Sequence, residues 1–167
     1  MPRSAAMNGA AEAIPLPDAS ADAVICGQAY HWFDRQRAHR EIARVLKPDR
    51  FFAAIWNTRD DEMPWVRELT SALGDPPTAD WREREGHRRR NLDFGSLFEP
   101  VERAEFRHDV AMNTDRLVAL AASRSSYLVA DATERSTIEA GVRAIAATLP
   151  PTFSMPYVTV CYRATRR

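Results

Sequence analysis

Apolar side chains recur along this chain with two different periods. Residues 22–28 (DAVICGQ) and 51–56 (FFAAIW) are short apolar runs, partly β-branched, that do not alternate with polar positions. That is the pattern of strands covered on both faces. Between them Asp34 is placed as an N-cap, and Ala38, Ile42, Val45 and Leu46 follow at i, i+4, i+7 and i+8 before Pro48 stops the helix. A strand-helix-strand unit over 22–56 implies parallel strands joined by a right-handed crossover. Ahead of it, residues 1–21 carry the breakers Pro15, Pro17, Asp18 and Ser20, which predict an irregular leading segment ending in a turn.

After the second strand, Asp60 to Glu62 and Pro64 are good helix-start residues, Trp65, Leu69 and Leu73 supply an apolar stripe, and Gly74 closes the helix. Residues 75–99 hold Pro76, Pro77, Gly86, Gly95 and the basic run His87 to Arg90, which predicts a long loop with a short helix near Leu97. Residues 101–112 alternate as a strand nearer an edge. Thr114 caps a helix running to about Leu128 with Leu117, Leu120 and Ala121 inward, and Asp131 with Glu134 forms a capping box for another that ends before Pro150. Residues 157–164 (YVTVCYRA) close the chain as a strand whose start Pro156 limits. The expected architecture is a single mixed α/β sheet domain over 1–167, with a C-terminal strand-helix-helix-strand over 101–164.

Composition narrows the function. The 167 residues suit one domain, which typically takes ~100 to 200 residues. With 45% hydrophobic and 28% charged residues, the chain is a folded globular protein. Its 23 basic and 23 acidic side chains cancel, so no net field draws in nucleic acid or an anionic membrane surface. No apolar run approaches a membrane span and 1–13 lacks a signal core, which predicts a cytoplasmic protein. Cys26 and Cys161 sit in apolar runs, as small hydrophobes do. All basic residues but Lys47 are arginine, a skew that GC-rich bacterial codon usage produces. The six glycines never fall within eight residues of one another, which excludes a glycine-rich phosphate or nucleotide loop from these residues.

In an open α/β sheet, ligands bind beyond the carboxyl ends of parallel strands. That rule selects residues 28–33 (QAYHWF) and 57–60 (NTRD). In the first, Trp32 and Phe33 either plug the base of the helix or meet a ligand. His31 is the candidate general base, since an imidazole titrates near neutrality and its position faces the expected pocket. No metal is expected: Asp60, Asp61 and Glu62 are explained by a helix N-terminus, and His31, His39, His87 and His108 lack zinc spacing. The basic run 87–90 reads as a solvated loop rather than a nucleic-acid site.

The stretch AEAIPLPDASADAVICGQAYHWFD, continued by EIARVLKPDRFFAAIWN, resembles the middle of class I S-adenosylmethionine-dependent methyltransferases of the small-molecule, ubiquinone-biosynthesis-like group. PVERAEF, ASRSSY and PYVTVCYRAT resemble the end of such proteins, so the likeness runs from about residue 9 to the C-terminus. It implies a Rossmann-like sheet ordered 3-2-1-4-5-7-6 with strand 7 antiparallel, of which this chain holds strands 4 to 7. The chain then corresponds to the C-terminal two thirds of the family domain, without the glycine-rich loop and the acidic residue that holds the ribose.

The resemblance implies S-adenosylmethionine as cofactor and a small-molecule methyl acceptor. It places Ala11 and Glu12 beside the adenine and Gln28 and Ala29 near the methionine end. Trp32, Asn57, Trp65, Arg124 and Tyr127 would line the acceptor side, with Arg124 suited to a carboxylate. Two positions depart from the family: relatives carry an acidic residue where Ala10 or Ala11 stands, and Asp49-Arg50 replaces a Gly-Gly pair. Without its usual neighbour, the strand over 22–28 becomes an apolar edge, which predicts a homodimer or a partner chain paired there. An incomplete enzyme, a degenerate binding or interaction module, and an inactive gene fragment are the readings this pattern allows.

Overall fold

The computed structural model describes residues 4–74 and 92–167. The chain runs β1 (Ala21–Gly27), a 3-10 turn (Tyr30–Trp32), α1 (Arg35–Val45), β2 (Leu46–Arg59) and α2 (Pro64–Ala72). It continues through β3 (Glu102–Met112), α3 (Thr114–Ala122), α4 (Ser125–Val129), α5 (Ala132–Ala147) and β4 (Phe153–Thr165). Most of the loop expected over 75–99, including the basic run 87–90, lies outside the described residues. The short helix expected near Leu97 is instead a turn, in which the Phe98 N–H donates to the Gly95 carbonyl. Among the described residues no helix is long and apolar enough to cross a membrane.

Two compact units divide the chain. The first comprises Met1–Asn57, Leu92–Phe106 and Thr159–Arg167. The strands are hydrogen-bonded in the order β1-β2-β4-β3. β1 and β2 are parallel, with Val24 opposite Phe52 and Gly27 opposite Ile55. Thr159 meets Asn57 while Arg166 meets Arg50, so β4 runs antiparallel to β2. The antiparallel bridge Phe98–Arg166 and the Arg163–Glu102 pair set β4 antiparallel to β3 as well. This is the strand order, with an antiparallel last strand, that the family resemblance implied for strands 4 to 7.

α1 is the crossover between the two parallel strands. The Asp34 carboxylate accepts the Arg37 N–H at 3.2 Å, and Ala38, His39, Ile42, Ala43 and Val45 form the buried stripe. Arg44, on the same helix, organises the leading segment. Its guanidinium donates to the Ile14 and Leu16 carbonyls, each at 2.9 Å, and pairs with Asp18 at 2.7 Å and Glu41 at 2.8 Å. Glu41 in turn accepts the Ile14 N–H. Hydrogen bonds from Arg44 hold the Glu41 carboxyl below its usual range. A segment with no strand or helix of its own is thereby fixed through its backbone carbonyls.

β2 begins at Leu46, earlier than the expected 51, because Pro48 does not end the element. Ala21 pairs with Leu46 but Ala23 already pairs with Phe51, so the intervening residues of β2 bulge out of the ladder. Pro48 lacks the N–H that regular pairing would need, and Asp49 takes a left-handed φ of 59°. That is the backbone state a glycine adopts freely and aspartate tolerates. Arg50 then pairs with Asp22 at 3.2 Å, as Lys47 does at 3.1 Å.

The second unit holds the remaining residues, Thr58–Asn91 and Arg107–Val158. Its core is Leu69, Leu73, Met112, Leu117, Ala121, Val142, Ala146 and Met155, with α5 packed on α2 and α3. α2 starts with Pro64 at its first turn. The helix expected from Thr114 to Leu128 is two, because Ser123 bonds back to the Leu120 carbonyl through its hydroxyl and Arg124 is extended, with ψ 145°. α5 opens with the expected capping box: Asp131 accepts the Glu134 N–H and Glu134 accepts the Asp131 N–H, both at 2.9 Å. β4 starts at Phe153 rather than after Pro156. Proline lacks a donor, but its carbonyl still serves the ladder by accepting the Asp60 N–H at 2.8 Å.

Two substitutions test this core. Asp131→Ala is expected to lower unfolding free energy by about 1 kcal/mol in urea titrations, with Asp131→Ser recovering most of it. Leu117→Ala, which empties a fully buried site, is expected to cost about 3 kcal/mol by the same measurement.

Candidate functional site

The carboxyl ends of β1 and β2 lie side by side in the first unit. At the end of β1, Gln28 adopts a left-handed φ of 58°, an uncommon state for a residue with a side chain. Its N–H donates to the Ile55 carbonyl at 2.9 Å, continuing the ladder for one more residue. Its side-chain amide donates to the Asn57 carbonyl at 2.7 Å. The Thr159 hydroxyl, from β4, donates to Asn57 Oδ1 at 2.9 Å. Gln28 and Asn57, proposed separately as cofactor-side and acceptor-side residues, are therefore directly bonded.

Ala29 introduces the 3-10 turn, where the Trp32 N–H donates to its carbonyl at 3.0 Å. Tyr30 is the residue that plugs the helix base: it is 1% exposed and surrounded by Phe33, Phe52, Trp56 and Phe94. Phe33 is half-buried against the same core, whereas Trp32 does not plug anything and is 80% exposed. In a three-residue turn, seating Tyr30 inward turns its neighbours outward. His31 is exposed too, with its ring 4.8 Å from that of Trp32.

The Tyr30 hydroxyl and His39 Nε2 share a hydrogen bond of 2.8 Å inside the core. Sequence reasoning passed over this pair. The available signal was that His39 lies on the apolar stripe of α1 with Ile42 and Ala43. Burial raises the Tyr30 phenol to about 12. Burial, helped by the Arg35 cation, pushes the His39 imidazole down, while Asp93 opposes it.

On the leading segment Ala11 is half-buried against the same core as Ala29. Glu12 has a structural bond: its Oε1 accepts the Asp34 N–H at 2.9 Å, just ahead of α1. Its ordering follows from the Arg44 contacts on the residues after it.

Trp65, Arg124 and Tyr127 belong to the second unit. Trp65 packs edge-on against Phe153, with ring centres 5.3 Å apart. Arg124 precedes α4, and its carbonyl accepts the Leu128 N–H at 3.0 Å. The Tyr127 hydroxyl donates to Glu139, which raises its phenol above the usual range. Arg135 lies 5.4 Å from the Tyr127 ring centre and donates to the Tyr127 and Leu128 carbonyls. These contacts tie α4 to α5.

The acidic residues after β2 correct the helix-start reading. α2 has no acidic residue in its first turn, and Asp60 is 4% exposed and Asp61 is also buried. Asp60 accepts from Arg107 on β3 and from the Glu62 N–H, so an ion pair brings it inside. The Asp61 carbonyl accepts from Arg67 at 3.1 Å. Among the described residues no group of three His, Cys, Asp or Glu side chains is placed to hold a metal ion.

Known proteins resemble this chain in sequence and in fold. A family model described as a methyltransferase domain matches residues 2–54. An uncharacterised methyltransferase of Mycobacterium tuberculosis (strain ATCC 25618 / H37Rv) is 38% identical over 171 residues, which cover 99% of this chain and 67% of that protein. An uncharacterised methyltransferase-like protein of Schizosaccharomyces pombe is 33% identical over 160 residues, covering 93% of this chain and 60% of its own length. Among solved structures, one assigned to the type II methyltransferases from Anaeromyxobacter dehalogenans aligns with a TM-score of 0.53 at 21% identity. It covers 95% of this chain and 69% of its own, a likeness of fold.

His39 gives a pH dependence with a defined sign. Its folded value lies below the ~6.5 of a free imidazole, so the unfolded chain binds the proton more readily. The stability this contributes is full above about pH 6.5 and is lost as pH falls through the folded value. His39→Gln, which stays neutral, is expected to destabilise the chain in urea at pH 7.5 and progressively less as the pH is lowered toward 5.

Proposed function

This chain belongs to the S-adenosylmethionine-dependent methyltransferase family, and from that premise we propose that it takes part in methyl transfer to a small-molecule acceptor. The observation that carries the reading is the polar arrangement at the adjoining carboxyl ends of β1 and β2, where Gln28 is held in a left-handed conformation and bonded to Asn57. Strain of that kind, at a non-glycine residue beside a sheet end, is common at ligand sites.

The residues present fit one wall of a cofactor site. Ala11 and Ala29 offer small apolar side chains on one core, and Glu12 accepts hydrogen bonds at its carboxylate. Gly27 leaves its surroundings open, since an added Cβ would meet nothing within 4 Å. The six dispersed glycines of this sequence supply no anion-binding loop, so the opposite wall is to be formed by residues other than these. When bound, the cofactor supplies an electrophilic methyl group on a sulfonium sulfur.

The side chains have positioning and proton-handling roles. Gln28 and Asn57 orient the reactants, Trp32 presents an apolar face to the acceptor, and a His31 ring nitrogen takes the proton that the acceptor nucleophile loses. In-line displacement needs alignment and exclusion of water more than reactive groups, so few side chains suffice. Trp65, Arg124 and Tyr127, which belong to the second unit, remain proposed acceptor-binding residues on the strength of the family resemblance alone. The cytoplasm as the place of action, and pairing of a second copy or partner along β1, belong to the same proposal. Ile25 on that strand is 62% exposed, which supports the pairing.

Calorimetric titration of the 167-residue protein with S-adenosylhomocysteine is the first test. Saturable binding that Ala29→Trp abolishes, with the variant still folded by circular dichroism, is the expected result. Transfer of a labelled methyl group to a panel of small phenols, amines and carboxylic acids then assigns the acceptor. His31→Ala is expected to leave the titration unchanged and to slow transfer by about a hundredfold. A folded protein that does not bind the nucleoside overturns the reading for these residues and favours an interaction module.

A further inference from the structure

Asn57 stands at the carboxyl end of β2 with its backbone and its side chain both held. Gln28 Nε2 donates to its carbonyl at 2.7 Å from one side, and Thr159 Oγ1 donates to its Oδ1 at 2.9 Å from the other. Gln28 directly follows β1 and Thr159 lies on β4, the two strands on either side of β2. Asn57 is exposed and Thr159 half-buried, so the bond sits where the sheet meets solvent.

A primary amide has one acceptor oxygen and one donor nitrogen, and it turns freely when neither is engaged. Here the oxygen is taken by the Thr159 hydroxyl. The amide nitrogen is then the end that remains outward, with two N–H groups and no acceptor among the described residues. Gln28 is itself fixed, because its left-handed backbone is held by the bond from its N–H to the Ile55 carbonyl.

We propose that Thr159 is a positioning residue that fixes the Asn57 side-chain amide with its N–H groups outward, as donors to a carbonyl or carboxylate oxygen of the methyl acceptor. This rests on the methyl-transfer reading above for the identity of the ligand, but not for the orientation of the amide. The selected class is an acceptor that carries a hydrogen-bond-accepting oxygen. An acceptor presenting only donors meets two N–H groups with no acceptor to pair them and is disfavoured.

Side-chain amide resonances of the ¹⁵N-labelled 167-residue protein read this directly. The Asn57 pair is identified by its loss in Asn57→Asp. Thr159→Val, which keeps the β-branched shape, is expected to move that pair, while Thr159→Ser leaves it near its original place. Benzoate and benzamide, which carry an accepting oxygen, are expected to shift the pair on titration, and benzylamine, which carries none, is not. Thr159→Val is expected to weaken the benzoate and benzamide responses about fivefold, the effect of one lost neutral hydrogen bond.

A second variant guards against misfolding. Asn57→Asp turns the outward donors into acceptors, and the backbone amide at position 57 is then expected to respond to benzylamine in preference to benzamide. An Asn57 pair that ignores Thr159→Val, or that responds equally to all three probes, overturns the proposal. Failure to bind S-adenosylhomocysteine with the probe pattern intact overturns the methyl-transfer reading and supports the placement of the amide.

Discussion

The burial of Tyr30 is the constraint on which the sheet end depends. Its ring is enclosed by aromatic side chains from β2, α1 and the segment around Phe94, and its hydroxyl goes in with it. A buried hydroxyl without a partner costs about 1–3 kcal/mol, so the seat exists because His39 is there to share the bond. The phenol and the imidazole are therefore one structural device. Once Tyr30 points inward, the short turn aims His31 and Trp32 outward, and Ala29 and Gln28 occupy the passage from strand to turn. Candidate chemistry at the strand end is thus arranged by a residue that takes no part in it.

A second fixed point lies at the other end of α1. Arg44 gathers the carbonyls of Ile14 and Leu16 together with the carboxylates of Asp18 and Glu41. Individual exposed ion pairs contribute little to stability. A fork of five N–H groups that matches several oxygens at once specifies geometry instead. It holds a proline-rich segment against the crossover helix and so brings Glu12 to the start of that helix, where it bonds the Asp34 N–H. A segment that reads as irregular from its composition has one defined path.

Much of the architecture was legible because it is written in local patterns. The non-alternating runs at 22–28 and 51–56, the 3.6-residue stripe on α1, and the Asp131–Glu134 box each appear where periodicity and capping chemistry put them. The departures have equally local causes that a pattern does not weigh. Pro48 was read as a helix stop, but a bulge in β2 absorbs its missing N–H together with the left-handed Asp49. Ser123 ended a helix through a side-chain bond that hydrophobic spacing does not register. Asp60 was read as a helix-start residue, yet Arg107, far away in the chain, draws it inside.

By itself the sequence determined the helices and strands, the strand-helix-strand crossover, the family and the dispersal of the glycines. These follow from the order of residue types over a few turns, or from counting. Tertiary structure alone decided which aromatic of YHW is inside, that the Thr159 hydroxyl bonds Asn57 Oδ1, and that Tyr127 is bound by Glu139 and Arg135. Each of those outcomes depends on a partner reached through space, as Asn57 reaches Thr159 across two neighbouring strands. Periodicity reports which face of an element is apolar, and it carries no information about which polar atom a distant strand will claim.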